Sequence, residues 1–257
     1  MPKFNANLTM LFNEVDFLDR FEEAAAAGFS GVEYLFPYDW SADELKEQLD
    51  KYNLVQVLHN LPAGDWAGGE RGIACLPGRE GEFQDGVGKA ITYAKTLGCK
   101  QLNCLAGLTP VDQSLEAVEK TLTDNLAFAA AELAKEGITL LVEPLNNKDI
   151  AGFHLVGSNQ TIELIDRVGH PNIMLQYDIY HMQRMEGELS NTIKNLLDRI
   201  GHMQLADNPG RHEPGTGEIN YPNLFKFIDS IGYQGWIGCE YIPAGKTHEG
   251  LTWMQQS

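Results

Sequence analysis

The chain of 257 residues reads as a single α/β domain, a (β/α)8 barrel. Three observations predict that class. Short apolar, strand-like runs alternate with helical patterns along the whole chain. Glycine recurs where a helical pattern gives way to an apolar run, at Gly28, Gly98, Gly137, Gly169, Gly201 and Gly232, where the backbone often has to turn left-handed. Four of the runs, ITLLVE, NIMLQYD, GHMQLAD and WIGCEY, carry Glu143, Asp178, Gln204 and Glu240 at their ends. These residues are spaced 35, 26 and 36 apart, roughly one strand-plus-helix unit each.

Candidate strands near Phe4–Leu8, Val32–Phe36, Val55–His59 and Gln101–Leu105 bring the number to eight. Between them, Ser41-Ala42-Asp43-Glu44 has the form of a capping box, with Leu45 and Leu49 on one face of the helix it opens. From Asp112 to Gly137, Leu115, Val118, Leu122, Leu126 and Leu133 recur at helical spacing, and Gly137 ends the pattern. Ser158 is placed to cap the helix carrying Ile162, Ile165 and Val168. Pro222 falls in a first helical turn, where proline is tolerated. The main rival is a doubly wound open sheet, which usually carries a glycine-rich phosphate turn; neither G-x-G-x-x-G nor G-x-x-x-x-G-K-[ST] occurs. Two long connections, from His59 to Arg79 and from Asp207 to Tyr221, leave the barrel at the end that bears the carboxylates. Loops of that length tend to be functional, and the first is expected to act as a lid.

Hydrophobic residues make up 43% of the chain, enough for a large core. No low-complexity or linker segment divides it, so residues 1–257 are expected to form one domain. The formal net charge of −17 repels phosphate backbones and anionic membranes, so neither nucleic acid nor a membrane is an expected partner. A small anionic substrate would need positive charge inside the site. The segment MPKFNANLTMLF lacks the features of a secretory signal, and no apolar stretch approaches the roughly 18 residues of a membrane span. Cys75, Cys99, Cys104 and Cys239 form no Cys-x-x-Cys pair and read as reduced thiols of a cytoplasmic protein. The sequence leaves homo-oligomerisation open.

A parallel barrel would gather the four strand-end residues at one end of its axis, provided all four point inward. Two Glu, one Asp and one Gln form an oxygen-rich set suited to a hard divalent cation. The set lacks Cys and His, which Zn2+ usually recruits, so Mg2+ or Mn2+ is expected. Gln204, being neutral, leaves the set at about −3. Glu143 and Glu240 are then placed to face opposite sides of a substrate, which suits proton abstraction beside a carbonyl: the cation steadies an enediolate while one Glu removes a carbon-bound proton and the other supports its return. His181, three residues after Asp178, either donates to a substrate oxygen or caps its loop. Arg211 is the first choice for binding a substrate carboxylate and Arg71 the second, and His59 is a further candidate for the lining.

At these residues the chain resembles the hydroxypyruvate isomerase family of xylose-isomerase-like TIM barrels over essentially its full length. The resemblance is carried by ANLTMLF, HNLPAGDWAGGERGIACLPGRE, Glu143-Pro144, QYDIYHMQRMEGEL, GHMQLADNPGRHEPGTGEINY and GWIGCEY. It implies interconversion of hydroxypyruvate and 2-hydroxy-3-oxopropanoate (tartronate semialdehyde). It also implies that Glu143 and Glu240 are the proton-transfer pair, that Glu143, Asp178, Gln204 and Glu240 are the metal set, and that the setting is glyoxylate or sugar-acid breakdown. Relatives that isomerise four-carbon 2-oxo-tetronates share the signature residues, but the quoted segments look nearer to the hydroxypyruvate enzymes. Related ketose 3-epimerases commonly have His where Gln204 stands, which counts against epimerase activity. An endonuclease of the same superfold would need a larger His and carboxylate set and a basic face. A non-catalytic binder of sugar acids would gain little from the paired Glu143 and Glu240.

Overall fold

In the computed structural model, which describes residues 2–255, eight parallel strands close into a barrel in simple sequential order. They are β1 (Lys3–Asn7), β2 (Gly31–Glu33), β3 (Val55–Asn60) and β4 (Gln101–Cys104), followed by β5 (Thr139–Val142), β6 (Ile173–Asp178), β7 (Ile200–Leu205) and β8 (Trp236–Cys239). The ring closes where β1 pairs with β8, Lys3 opposite Trp236 and Ala6 opposite Cys239. Outside the strands lie α1 (Arg20–Ala26), α2 (Ala42–Tyr52), α3 (Glu80–Leu97), α4 (Leu115–Lys135) and α5 (Ser158–Val168). The second half adds α6 (Ile179–Met185), α7 (Leu189–Asn195), α8 (Tyr221–Ser230) and α9 (Thr247–Gly250). Among the described residues no helix is long and apolar enough to cross a membrane, and all four cysteines are free thiols, buried.

Local chemistry accounts for most boundaries. The Ser41 hydroxyl accepts from the Glu44 amide and the Glu44 carboxylate from the Ser41 amide, closing the expected capping box at α2. Helix α4 buries Val118, Leu122, Leu126 and Leu133, whereas Leu115 in its first turn is exposed. Pro222 lies in the first turn of α8. Gly98 and Gly169 cap α3 and α5 in the left-handed conformation at φ 71° and 66°.

Three expectations are corrected. Gly201 is not at a helix end but inside β7, where a Cβ would come within 2.6 Å of the Leu141 side chain; it is small because the barrel floor is crowded. The residue capping α5 is Gly157, and Ser158 is the first helical residue, its hydroxyl donating to Glu186 across to the end of α6. Strand β2 stops at Glu33 rather than Phe36; its register against β3 shifts between Val32 and Glu33, and beyond it only single backbone bonds, Tyr34 N–H to Leu58 and Asn60 N–H to Leu35, still join the two segments.

The barrel interior has two characters. Near the N-terminal ends of the strands it is apolar, with Val57, Leu58 and Leu141 packed against Met174 and Trp236. Towards the C-terminal ends it is polar: Asn5 and Asn7, Glu33, Asn60, Asn103, Glu143, Gln176 and Asp178, His202 and Gln204, and Glu240 are all buried. Alternation along a strand sends residues two apart to the same face, so Asn5 and Asn7, Gln176 and Asp178, and His202 and Gln204 enter the barrel as pairs.

Candidate active site

Strand ends position the acidic groups. Asp178 is the last residue of β6, Gln204 sits opposite it near the end of β7, and Glu143 and Glu240 follow the last residues of β5 and β8. All four are buried, at 4% exposure or less for Glu143, Asp178 and Gln204 and 5% for Glu240. A cavity of about 70 Å³ opens above them, lined by Glu143, Glu240, His181, Arg211, Asn60 and Trp66 together with an apolar wall of Met10, Leu35, Leu105, Leu145 and Ile150.

The carboxylates are short of partners. Glu143 accepts from the Asn103 amide at 2.8 Å, and Glu240 from the Arg211 guanidinium at 3.3 Å. Asp178 uses Oδ1 to cap α6, accepting from the backbone N–H of Tyr180 at 2.7 Å and His181 at 3.2 Å. Among the described residues its Oδ2 finds no hydrogen-bond donor. Burial, and then the neighbouring charges of Glu240 and Asp178, push the Glu143 carboxyl well above its ordinary range. Burial likewise pushes Glu240 up to about 8, with Arg211 opposing the shift and Asp178 and Glu33 adding to it. Asp178 is raised too, chiefly by burial. Three acidic groups that each resist ionisation, opposed by one guanidinium, form a site that favours added positive charge.

An oxygen of Glu143, an oxygen of Asp178 and a ring nitrogen of His181 lie within 4.8 Å of one another, a group able to hold a metal ion. The hydrogen bonds of His181 settle what its ring offers. Its Nδ1 faces the backbone N–H of Asn146 at 3.2 Å and the Asn146 side-chain amide at 2.6 Å. A backbone N–H can only donate, so Nδ1 must accept, and the proton of the neutral ring sits on Nε2, 3.6 Å from Asp178 Oδ2. Burial, with Arg211 and Arg184 nearby, drives the ring's pKa well below its ordinary value. His181 thus presents an N–H, not a lone pair, to the cavity.

Arg211 lies at the left-handed φ of 55°, with its guanidinium 5.2 Å from the Tyr180 ring centroid. Its loop is organised by Asp207, whose carboxylate accepts from the backbone N–H groups of Asn208, Gly215, Gly217 and Ile219 at 2.8–3.1 Å. Among the described residues Arg211 is the cation that lines the cavity. Arg71 stands behind Trp66 instead, its guanidinium 4.3 Å from the indole and donating to the Trp66 and Glu70 carbonyls. His59 is buried against Tyr38, ring centroids 6.1 Å apart, and its neighbour Asn60 occupies the lining position.

The loop of Trp66 is anchored at its base. Gly72 and Gly107 pack so closely that a Cβ on Gly72 would meet the Leu105 carbonyl at 2.2 Å. By contrast Asp65, Ala67, Gly68 and Gly69 at the tip around Trp66 are exposed. The long connection after β5, which also supplies Leu145, Asn146 and Ile150, went unread in the sequence.

A family profile described as xylose isomerase-like TIM barrel matches residues 21–257. The hydroxypyruvate isomerase of Escherichia coli strain K12 is 60% identical over 99% of this chain and 98% of its own length. This chain belongs to the hydroxypyruvate isomerase family of xylose isomerase-like TIM barrels. Within reach of it are also a 2-oxo-tetronate isomerase of Cupriavidus necator, 47% identical over 99% of this chain and 98% of its own. A Brucella melitensis crystal structure described as an AP endonuclease, family 2, superposes with a TM-score of 0.97 at 49% identity, covering 99% of this chain and 98% of that one.

Proposed function

We propose that this chain interconverts hydroxypyruvate and 2-hydroxy-3-oxopropanoate, with Glu143 and Glu240 moving the carbon-bound proton. The observation that carries the reading is the pair of buried, mutually repelling carboxylates on one small cavity whose cation is Arg211. In the forward direction one glutamate takes a proton from C3 of hydroxypyruvate, leaving an enediolate across C2 and C3. The other glutamate supports delivery of a proton to C2, and the hydroxyl proton passes from the C3 oxygen to the C2 oxygen. One C–H bond breaks, one forms, and no oxidant is consumed. Carboxyls held nearer neutral pH than usual are suited to both giving and taking that proton.

Arg211 is assigned to the substrate carboxylate, which its fork can meet with two hydrogen bonds. His181 would donate its Nε2 proton to a substrate oxygen. Glu143, Asp178, Gln204 and Glu240 are assigned as ligands of Mg2+ or Mn2+; the unpartnered Asp178 oxygen and the all-oxygen donor set fit such an ion. When bound, the cation would supply positive charge to adjacent substrate oxygens while the proton is off carbon. His181, with its lone pair committed to Asn146, is left out of the ligand set.

The cavity also favours a small acid. The cavity, about 70 Å³, is small, and Trp66 of the loop after β3 forms part of its wall. The apolar wall of Leu35, Leu105, Leu145 and Ile150 offers nothing to the extra hydroxyl of a 2-oxo-tetronate. The 47% relative keeps that acid as the second reading. A nuclease is disfavoured by the net charge of −17, which repels a phosphate backbone. A cytoplasmic role in glyoxylate or sugar-acid breakdown follows from the same reading.

The test is turnover of hydroxypyruvate and of a 2-oxo-tetronate by metal-stripped protein and by protein reloaded with Mg2+ or Mn2+. Higher kcat/KM for hydroxypyruvate, restored by the metal, is the expected result. Preference for the four-carbon acid would transfer the assignment to the second reading, and inactivity on both would refute it.

A further inference from the structure

Glu33 takes no part in the chemistry above, yet it is the best-satisfied carboxylate in the barrel. It ends β2, is 1% exposed, and accepts two hydrogen bonds on each oxygen. Asn7 at 3.0 Å and Gln204 at 2.8 Å donate to Oε1, and Asn5 and His202, both at 2.8 Å, face Oε2. Strand β8 makes room for this group. A Cβ on Gly238 would lie 2.3 Å from Glu33 Oε1, so the residue level with Gln204 on β8 has to be glycine.

The bond to Gln204 has a directional consequence. The two ends of a glutamine amide are nearly equal in shape, and its surroundings decide which way it faces. An ionised carboxylate can only accept, so the Gln204 nitrogen must face Glu33. The Gln204 oxygen is thereby turned to the opposite side, where it accepts from the Gln176 amide at 2.6 Å and keeps a second lone pair. Turning the amide over would set two oxygens against each other at Glu33, whereas Gln176, whose own amide oxygen has no partner, could turn with it. Burial favours protonation of Glu33, but the His202 ring and the amide donors outweigh it and hold the carboxyl below its ordinary range.

We propose that Glu33 is a positioning residue that locks the Gln204 amide with its oxygen turned away from Glu33 and available to a divalent cation, with Gly238 providing the space. This rests on the reading of Gln204 as one of the cation's ligands. Residues that orient a metal's ligands typically change affinity by about 10- to 100-fold when replaced.

The test is Mn2+ binding by titration calorimetry, with folding followed by circular dichroism, on the intact chain and on Gln204→Ala, Glu33→Gln and the double variant. Glu33→Gln keeps the shape but lets an amide face Gln204, so the Kd for Mn2+ should rise by about tenfold or more. In the Gln204→Ala background the same change should add nothing, because Glu33 acts through Gln204. Gly238→Ala, which displaces the Glu33 carboxylate without altering a ligand, is a second route to the same loss should Glu33→Gln not fold. A Kd unchanged by Glu33→Gln, or losses that multiply in the double variant, would reduce Glu33 to a structural group and overturn the proposal. A Kd unchanged by Gln204→Ala would overturn the ligand reading itself, and the positioning role with it.

Discussion

Glu33 and Glu240 are both buried in the same barrel, Gly238 packing against the first and standing two residues before the second, yet their environments are opposite. Glu33 receives four hydrogen bonds and is held below the ordinary carboxylate range. Glu240 receives one, from Arg211 at 3.3 Å, and is pushed up to about 8, while Glu143 above β5 is raised by burial and by its acidic neighbours. Burial penalises all three, so the number of donors decides the sign. The lower group is finished as it stands and supports the strands around it. The upper groups are left wanting protons or a cation, which is what a proton-transferring site requires.

The contrast is broken most strongly by isosteric neutralisation. Glu143→Gln or Glu240→Gln should lower kcat for hydroxypyruvate by roughly 10²–10⁴ while the metal-free protein melts no lower than the parent, because the neutral amide stands where burial already disfavours a charge; a kinetic assay with a melting curve checks both. Glu33→Ala should do the reverse in stability. It strands four buried donors and should cost about 3–5 kcal/mol, measured by urea denaturation. Equal stability costs at Glu33 and Glu240 would erase the distinction.

Arg211→Lys comes next, since an ammonium cannot make the paired contact to a carboxylate. KM for hydroxypyruvate should rise about 10- to 100-fold, in line with the loss of hydrogen bonds to a charged group, with a smaller change in kcat. A metal and pH experiment separates the layers without mutation. Glu143 and Glu240 have raised pKa values in the folded, metal-free protein, and for Glu240 folding binds a proton between the ordinary 4.5 and about 8. Its contribution to stability is present at low pH and is lost as pH rises through that window. A divalent cation replaces such protons, so the rise in Tm on adding Mn2+ should be larger at pH 8 than at pH 5.5, as differential scanning fluorimetry would show. The smallest effect is expected at the lid tip. Trp66→Ala should change KM only a few-fold, because Arg71 and the anchored base of the loop remain.

The sequence revealed the upper layer better than the lower one. Glu143, Asp178, Gln204 and Glu240 each close an apolar run, and that contrast marks a strand end directly. Asn5, Asn7, Glu33 and His202 lie within runs, and their only signal is period-2 alternation, as in Asn5-Ala6-Asn7 and His202-Met203-Gln204. Their partnership depends on closure of the ring, which brings β1, β2, β7 and β8 together although they stand at opposite ends of the chain. His59 and Arg71 show the limit from the other side. Both occur in the right segments, but strand alternation gives the lining position to Asn60, and the loop's own packing turns Arg71 onto Trp66. Gly201 and Gly238 carry the same lesson, since each is glycine for a neighbour's side chain and not for its own backbone angle.

The most direct measurement is proton NMR of hydroxypyruvate in D₂O with the Mn2+- or Mg2+-loaded parent and with Glu143→Gln and Glu240→Gln. The expected result is 2-hydroxy-3-oxopropanoate bearing deuterium at C2, loss of the C3 proton signal of the hydroxypyruvate pool, and neither event in at least one of the two variants. Isomerisation that persists undiminished in both variants, or no product and no exchange with the parent under either metal, would contradict the assignment of Glu143 and Glu240 as the proton-transferring pair.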